Sequence, residues 1–353
     1  MPVRANRLKK MRVIWKLPAS CANCWKKQEE PVDISQFKAT FDTIRAEVER
    51  ALVGQGELVE PALVALLARG HVLLEGAPGL GKTLLVRVLG HVLACDHRRI
   101  QFTPDLMPSD VSGGNVFNQQ KSVFDFLKGP VFTQLLLADE INRAPAKTQS
   151  ALLEAMQERQ VTVDGVTRPL PEPFLVMATQ NPIESQGTYP LPEAQLDRFM
   201  VKLSVLAPSH DVEMAILRNH LRGFDAQALE RLNLQRVVTP AGLLEMQMFA
   251  RGLRVDEGIV SYIADIVCRT RSHRALYYGA SPRASIALLQ GAQARAGSRG
   301  RDFVIPDDVK ALAPAVLRHR VGLQPDAEIE GVSTEDCVAE ILRDVRVPET
   351  IAA

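Results

Sequence analysis

Between a short apolar run, HVLLE, and a helical pattern, LLVRVLGHVLA, lies the loop GAPGLGKT, residues Gly76 to Thr83. It meets the GxxxxGK[ST] pattern in the context that gives the pattern meaning, a strand entering the loop and a helix leaving it. Gly76, Gly79 and Gly81 let backbone N–H groups converge on phosphate oxygens, with Ala77, Pro78 and Leu80 completing the loop. The N-terminus of the following helix adds partial positive charge. Lys82 is placed to reach β and γ phosphates, and Thr83 to offer a hydroxyl to Mg²⁺. A glycine-rich turn before a core helix would need neither the lysine nor the threonine.

Four further apolar runs follow: RIQFT (99–103), QLLLAD (134–139), FLVMATQ (174–180) and FMVKLSV (199–205). Helical patterns separate most of them, which predicts an α/β fold with a parallel sheet covered by helices. FKATFDTIRAEVERALV (37–53) and PALVALLARG (61–70) predict two helices ahead of the loop. After Ala207 the patterns become helical, with start signals at Ser209, Thr239-Pro240, Ser281-Pro282 and Ile305-Pro306. The expected organisation is a disordered basic extension over 1–34, an α/β core over 35–207, a smaller all-helical domain over 208–327 and a C-terminal segment over 328–353. A length of 353 residues suits about two domains.

With 42 basic and 41 acidic residues the net charge is +1, so no chain-wide field points to nucleic acid or a membrane surface. No apolar stretch approaches the roughly 20 residues of a membrane span; PALVALLARGHVLLEGA is broken by Arg69 and Gly70. The N-terminus lacks the apolar segment of a secretory signal, and the expected location is the cytoplasm. The five cysteines are scattered. Cys21 and Cys24 form a CxxC without a second ligand pair, and are read as free thiols in the extension.

The run LLLADEINRAP poses an electrostatic question. Asp139 and Glu140 are adjacent carboxylates at the end of a buried strand, where they repel each other and resist desolvation, so a cation should lie nearby. The phosphate loop supplies a reason: Asp139 would orient Mg²⁺, and Glu140 would polarise the water that attacks the γ phosphate. Taken without that loop, Asp139 reads as a turn residue capping the helix of APAKTQSALLEAMQE.

Together GAPGLGKT, LLLADEINRAPAKTQSALLEAMQERQVTVDG, ATQNPIESQGTYPLPEAQLDRF and SPRASI resemble the MoxR family of AAA+ ATPases, from about Phe37 to beyond Leu323. The resemblance implies a P-loop core with a helical lid, ATP and Mg²⁺, and a homo-oligomeric ring, usually a hexamer. The ring would act as a chaperone-like remodeller of partner proteins, often ones with von Willebrand factor A domains. It further implies that Asn181 is sensor 1, Arg198 an arginine finger facing a neighbouring subunit's nucleotide, and Arg283 sensor 2. Val53, Gly54 and Gln55 resemble the segment that packs near adenine. Arg198 could instead pair with Asp197 or Glu193. Arg283, in the first turn of a helix, is unhelpful to the helix dipole, which favours a role in the site. For Arg143 a nucleotide contact and a subunit-interface ion pair stay open.

RQVTVDGVTRPLP alternates around Asp164-Gly165, a two-residue hairpin signal, and GGNVFNQQKSVFDFLKGPVF (113–132) alternates about a polar centre. In the resembling family such inserts face the ring pore or a partner; edge structure sealing the sheet is the alternative. A nucleic-acid motor should carry a basic stripe with aromatics there, whereas Lys121, Lys128 and Arg168 cluster little. A nucleotide-gated module without turnover would lack Glu140 or Arg198. A metal-chelatase ATPase subunit would use the same motifs.

Overall fold

The computed structural model describes residues 33–77, 79–181, 188–225 and 232–348. The expected disordered extension with Cys21 and Cys24, up to residue 32, lies outside the described residues, as does Pro78. Asp33 caps the first helix, its carboxylate accepting from the Gln36 N–H.

Helices α1 (Ile34–Ala51) and α2 (Gly56–Leu67) precede strand β1 (Val72–Glu75), which leads through the glycine loop into α3 (Lys82–Val92). Then come β2 (His97–Gln101), the short α4 (Pro108–Ser112), and the hairpin of β3 (Gly113–Asn118) and β4 (Val123–Lys128). Strand β5 (Leu135–Asp139), a 3-10 turn at Ile141–Arg143 and α5 (Ala146–Glu158) follow, with the hairpin of β6 (Gln160–Val163) and β7 (Val166–Pro169). Strand β8 (Leu175–Gln180), α6 (Glu193–Leu196) and β9 (Val201–Ser204) complete the first part. The second part contains α7 (His210–Leu221), α8 (Pro240–Arg251), α9 (Glu257–Arg271), α10 (Pro282–Ser298), α11 (Pro306–Leu317), α12 (Pro325–Ile329) and α13 (Thr334–Asp344). A small antiparallel ribbon, β10 (Leu276–Tyr278) with β11 (Gly322–Leu323), interrupts these helices.

The five apolar runs become one parallel sheet in the order β2-β5-β8-β1-β9. Every residue of β5 is buried, because helices cover both faces. Its side chains alternate between two cores. Leu135 and Leu137 join the one shared with α1, α2 and α3, and Leu136 and Ala138 the one with α5 and Phe102. Ser209, Thr239, Ser281 and Ile305 are each the residue before a helix, as expected. Helix α2 starts earlier than the predicted Pro61, which sits inside it. Helix α10 packs on α1, α2, α8, α9 and α11. Close approach needs small residues there: a Cβ on Gly297 would lie 2.8 Å from the Phe37 ring. Helix α13 buries Cys337, Val338 and Ile341 against α9 and α11. Among the described residues no helix is long and apolar enough to cross a membrane.

His71, just ahead of β1, pins the sheet to α5 and β9. Its Nδ1 accepts from the Val176 N–H at 3.0 Å, its Nε2 donates to the Met156 carbonyl at 3.1 Å, and its own carbonyl accepts from Met200 at 2.8 Å. Burial pushes the imidazole down to about 4 from an ordinary 6.5, with Arg159 adding to the effect. Between those values the unfolded chain binds the extra proton, so stability is full above about 6.5 and is lost as pH falls toward 4. The expected cost from this group is about 2 kcal/mol by pH 5. Denaturant unfolding at pH 7 and pH 5 should show His71→Gln, whose amide can keep both bonds, losing less stability than wild type. Equal losses would contradict the assignment.

Candidate functional site

The site is built at the C-terminal ends of the sheet strands, where β1 turns into α3. Gly79 and Gly81 take φ of 82° and 81°, a region that favours glycine. Gly76 is demanded by space, since a Cβ there would lie 2.5 Å from the Val205 carbonyl oxygen. Gly81 caps α3, and Lys82 opens it. The Lys82 ammonium folds back over the loop and donates to the Gly76 carbonyl at 2.6 Å. Burial pushes its pKa below the usual lysine range, opposed by the carboxylates of Asp139, Glu140 and Glu75.

The cations required by the acid pair are present. Arg99 donates to Asp139 Oδ2 from Nε at 3.1 Å and from Nη2 at 2.8 Å, while the Thr179 hydroxyl donates to Oδ1. Glu140 takes φ 55° and ψ 49°, a left-handed turn uncommon outside glycine, directly after β5. Its N–H donates to Thr179 Oγ1 at 2.9 Å. Its Oε2 accepts from Gln101 Nε2 at 2.7 Å and from Arg143 Nη1 at 2.9 Å. Arg143 therefore pairs with the acid of its own chain, a partner that neither sequence reading had named. Asp139 does not cap α5, whose N-cap is Pro145.

Gly79, Lys82, Thr83, Asp139, Glu140 and Asn181 line one cleft of about 400 Å³. Asn181 is 6 % exposed at the end of β8. Gln55 reaches the loop from the segment before α2: its Nε2 donates to the Leu80 carbonyl at 2.9 Å, and its Oε1 is buried without a partner among the described residues. Gly54 has φ 76° and packs on Val212. The residues fit a nucleotide with its metal. Gly79 leaves open space where a Cβ would stand, Thr83 and Asp139 are hard oxygen donors of the kind Mg²⁺ takes, and Gln55 holds an acceptor without a partner among the described residues.

Arg198 and Arg283 are elsewhere. They line a second cleft, of about 300 Å³, together with Arg69, Arg159 and Arg320. Arg198 follows α6, and its Nη1 donates to the Leu153 carbonyl at 2.7 Å. The pairing with Asp197 does not form, because Asp197 accepts from Arg320 at 2.7 Å and from Ser281 at 2.8 Å. Among the described residues Arg198 makes no ion pair with Glu193 either, and Glu193 adds to burial in pushing the Tyr278 phenol up to about 12. The structure thus brings Lys82, Thr83, Asp139, Glu140 and Asn181 together, and keeps the two arginines apart from them.

Arg99, Gln101 and Thr179 escaped the sequence reading. Arg99 and Gln101 are two apart on β2, and Thr179 and Asn181 two apart at the end of β8, so each pair shares a side of its strand. Finding them needs the strand order, because the β2–β5 register, with Gln101 opposite Asp139, delivers Arg99 and Gln101 to the acids, and the β5–β8 register, with Ala138 opposite Ala178, delivers Thr179.

Residues 71–201 match the ATPase family associated with various cellular activities (AAA), and residues 268–341 match the AAA lid domain. The chain is 48% identical over 301 residues to the uncharacterised protein YeaC of Bacillus subtilis, covering 85% of this chain and 92% of that one. It is 46% identical over 322 residues to Chaperone MoxR1 of Mycobacterium tuberculosis, covering 89% and 84%. A crystal structure of a candidate ATPase from Cytophaga hutchinsonii superposes with a TM-score of 0.82 at 42% identity, covering 90% of this chain and 97% of that one. With the P-loop, the acid pair and the helical lid in place, the chain belongs to the MoxR family of AAA+ ATPases.

Proposed function

We propose that the protein hydrolyses ATP with Mg²⁺ as a homo-oligomeric ring, a hexamer in the family pattern, and spends the energy on chaperone-like remodelling of partner proteins. The observation that carries this is the separation of two clefts. The first holds the P-loop, Asp139, Glu140 and Asn181, and the second holds Arg198 and Arg283. A subunit built this way binds a nucleotide with one surface and offers arginines with another, so a complete site forms between neighbours. The second cleft is the surface that would face the next subunit's phosphates.

The loop N–H groups and Lys82 hold the phosphates, with Val53, Gly54 and Gln55 beside the base. Thr83 and Asp139 would hold Mg²⁺, which when bound neutralises charge on the phosphate oxygens. Asp139 exchanges its Arg99 contact to do so. Glu140 accepts the proton of the attacking water, and Asn181 orients that water against the γ phosphate. Gln101 and Arg143 hold Glu140 in its present rotamer, so turnover requires those two bonds to be exchanged. Arg198 and Arg283 of the adjacent subunit stabilise the charge that develops on the transferred group.

The core is assigned to 35–207 and the lid to 208–327, with the C-terminal helix packed on the lid. Chaperone MoxR1 is the relative whose name supports remodelling. Client proteins with von Willebrand factor A domains, and a cytoplasmic location, complete the proposal. Phosphate release should require Mg²⁺, should rise in specific rate with protein concentration as subunits associate, and should vanish with ATP binding in Lys82→Ala. A specific rate independent of concentration across the range where light scattering reports association would contradict it.

A further inference from the structure

Between the two arginines of the second cleft lies a buried polar network for which hydrolysis by the first cleft has no use. Arg320, on the segment after α11, is 5 % exposed. All five of its guanidinium N–H groups are satisfied. Nε donates to Asp197 Oδ1 at 2.7 Å, Nη1 to the Met200 and Val316 carbonyls at 2.8 and 2.7 Å, and Nη2 to the Asp197 and Phe199 carbonyls at 3.1 and 2.6 Å. His319 Nε2 shares the Phe199 carbonyl at 2.9 Å. The other oxygen of Asp197, Oδ2, accepts from the Ser281 hydroxyl at 2.8 Å, and that same hydroxyl accepts from the Arg283 N–H at 3.2 Å.

The two ends of this chain of bonds are informative. Asp197 is the residue before Arg198, on the core. Ser281 is the N-cap of α10, on the helical part, and Arg283 lies in the first turn of that helix. Desolvating an arginine is costly, and full hydrogen bonding offsets the cost without making such a pair better than an apolar packing. What a buried guanidinium with all five N–H groups engaged adds is a single geometry. Here the geometry it fixes is the placement of Arg198 relative to Arg283 across the junction of core and lid.

On this basis we infer that Arg320 is a positioning residue, which through Asp197 and Ser281 locks Arg198 and Arg283 into one rigid pair for the neighbouring subunit's nucleotide. The inference rests on the proposed sharing of sites between subunits. It adds that the two arginines act as a unit whose spacing is set by contacts within the subunit that donates them.

The test places the same defect on one side of the subunit boundary or the other. Lys82→Ala subunits can present arginines but bind no ATP, and Arg198→Ala subunits can bind ATP but present no finger; in a mixture, active sites form only where the first kind faces the second. Ser281→Ala in the Lys82→Ala partner should lower the recovered kcat by roughly 10- to 10²-fold with KM for ATP unchanged, since misplacement by about 1 Å costs on that scale. Ser281→Ala in the Arg198→Ala partner should leave the recovered rate as it was, and Ser281→Thr should restore function in the first placement. Arg320→Lys, which keeps the charge but has three donors for five acceptors, should show the same polarity, with melting curves and light scattering confirming folded, assembled subunits. Equal losses in both placements would make the network a general stabiliser and overturn the inference. If the parent mixture, without a change at Ser281 or Arg320, recovers no activity, the sharing of sites itself fails, a result distinct from equal losses.

Discussion

Arg198→Ala should lower kcat by about 10³-fold or more, the range seen when an arginine supplied across an interface stabilises phosphoryl transfer. KM for ATP should hardly change, because the P-loop, Lys82 and Thr83 of the binding subunit line a cleft that Arg198 does not enter. The fold should survive. Among the described residues the Arg198 guanidinium donates to a single carbonyl, that of Leu153, and its Nε is buried without a partner. Such a side chain contributes little to stability, and truncating it relieves an unsatisfied donor. Steady-state kinetics on assembled protein would show the split. A variant with wild-type kcat, or one that loses activity only by failing to assemble, would remove Arg198 from the chemistry.

Glu140→Gln should bind ATP and lose turnover by roughly 10²- to 10⁴-fold, the scale of a positioned general base. The amide oxygen can still accept from Gln101 and Arg143, so the turn after β5 and its left-handed residue should persist. What disappears is the ability to take a proton. Single-turnover measurement with retained nucleotide would separate this from weakened binding. Hydrolysis at the wild-type rate would mean that another group activates the water. The same variant, held with ATP bound, is the means to capture a client protein.

Much of the layer architecture was legible because its causes are local. Strands buried on both faces read as continuous apolar runs, which is why QLLLAD and FLVMATQ appear at their places in the sheet. The hairpin at Asp164-Gly165 was equally clear. Both residues take positive φ, 52° and 77°, and the Asp-Gly pair tolerates this where most residues would be strained. The loop over Gly76 to Thr83 was visible as a pattern because its glycines are neighbours in sequence, and Gly79 and Gly81 take the positive φ that the pattern led us to expect. The acid pair was only half legible. Two adjacent carboxylates call for cations, but Arg99 reaches Asp139 through strand pairing across 40 residues, and spacing in sequence carries no trace of that.

The ribbon of β10 and β11 was not legible at all. A strand of three residues pairing with one of two has no periodicity to detect. The place of the two arginines was lost for a related reason. The family resemblance gave Arg198 and Arg283 their expected roles, yet it could not say that Asp197 would turn to Arg320 and Ser281, because that choice is made where core and helical part meet. An ion pair between neighbours in sequence was the cheapest local guess; a buried guanidinium with five acceptors outcompetes it.

Mixing two inactive variants tests most directly whether the arginines act across a subunit boundary. Lys82→Ala and Arg198→Ala proteins, each alone, should show no turnover above background. Combined in equal amounts under conditions where light scattering shows co-assembly, they should regain part of the wild-type rate. An intact Arg198 on a Lys82→Ala subunit then faces an intact P-loop on its neighbour. The recovered rate should follow the mixing ratio and fall away on dilution below the assembly range. Co-assembled mixtures that stay inactive at every ratio would contradict the account, and would return Arg198 to a structural contact with the Leu153 carbonyl.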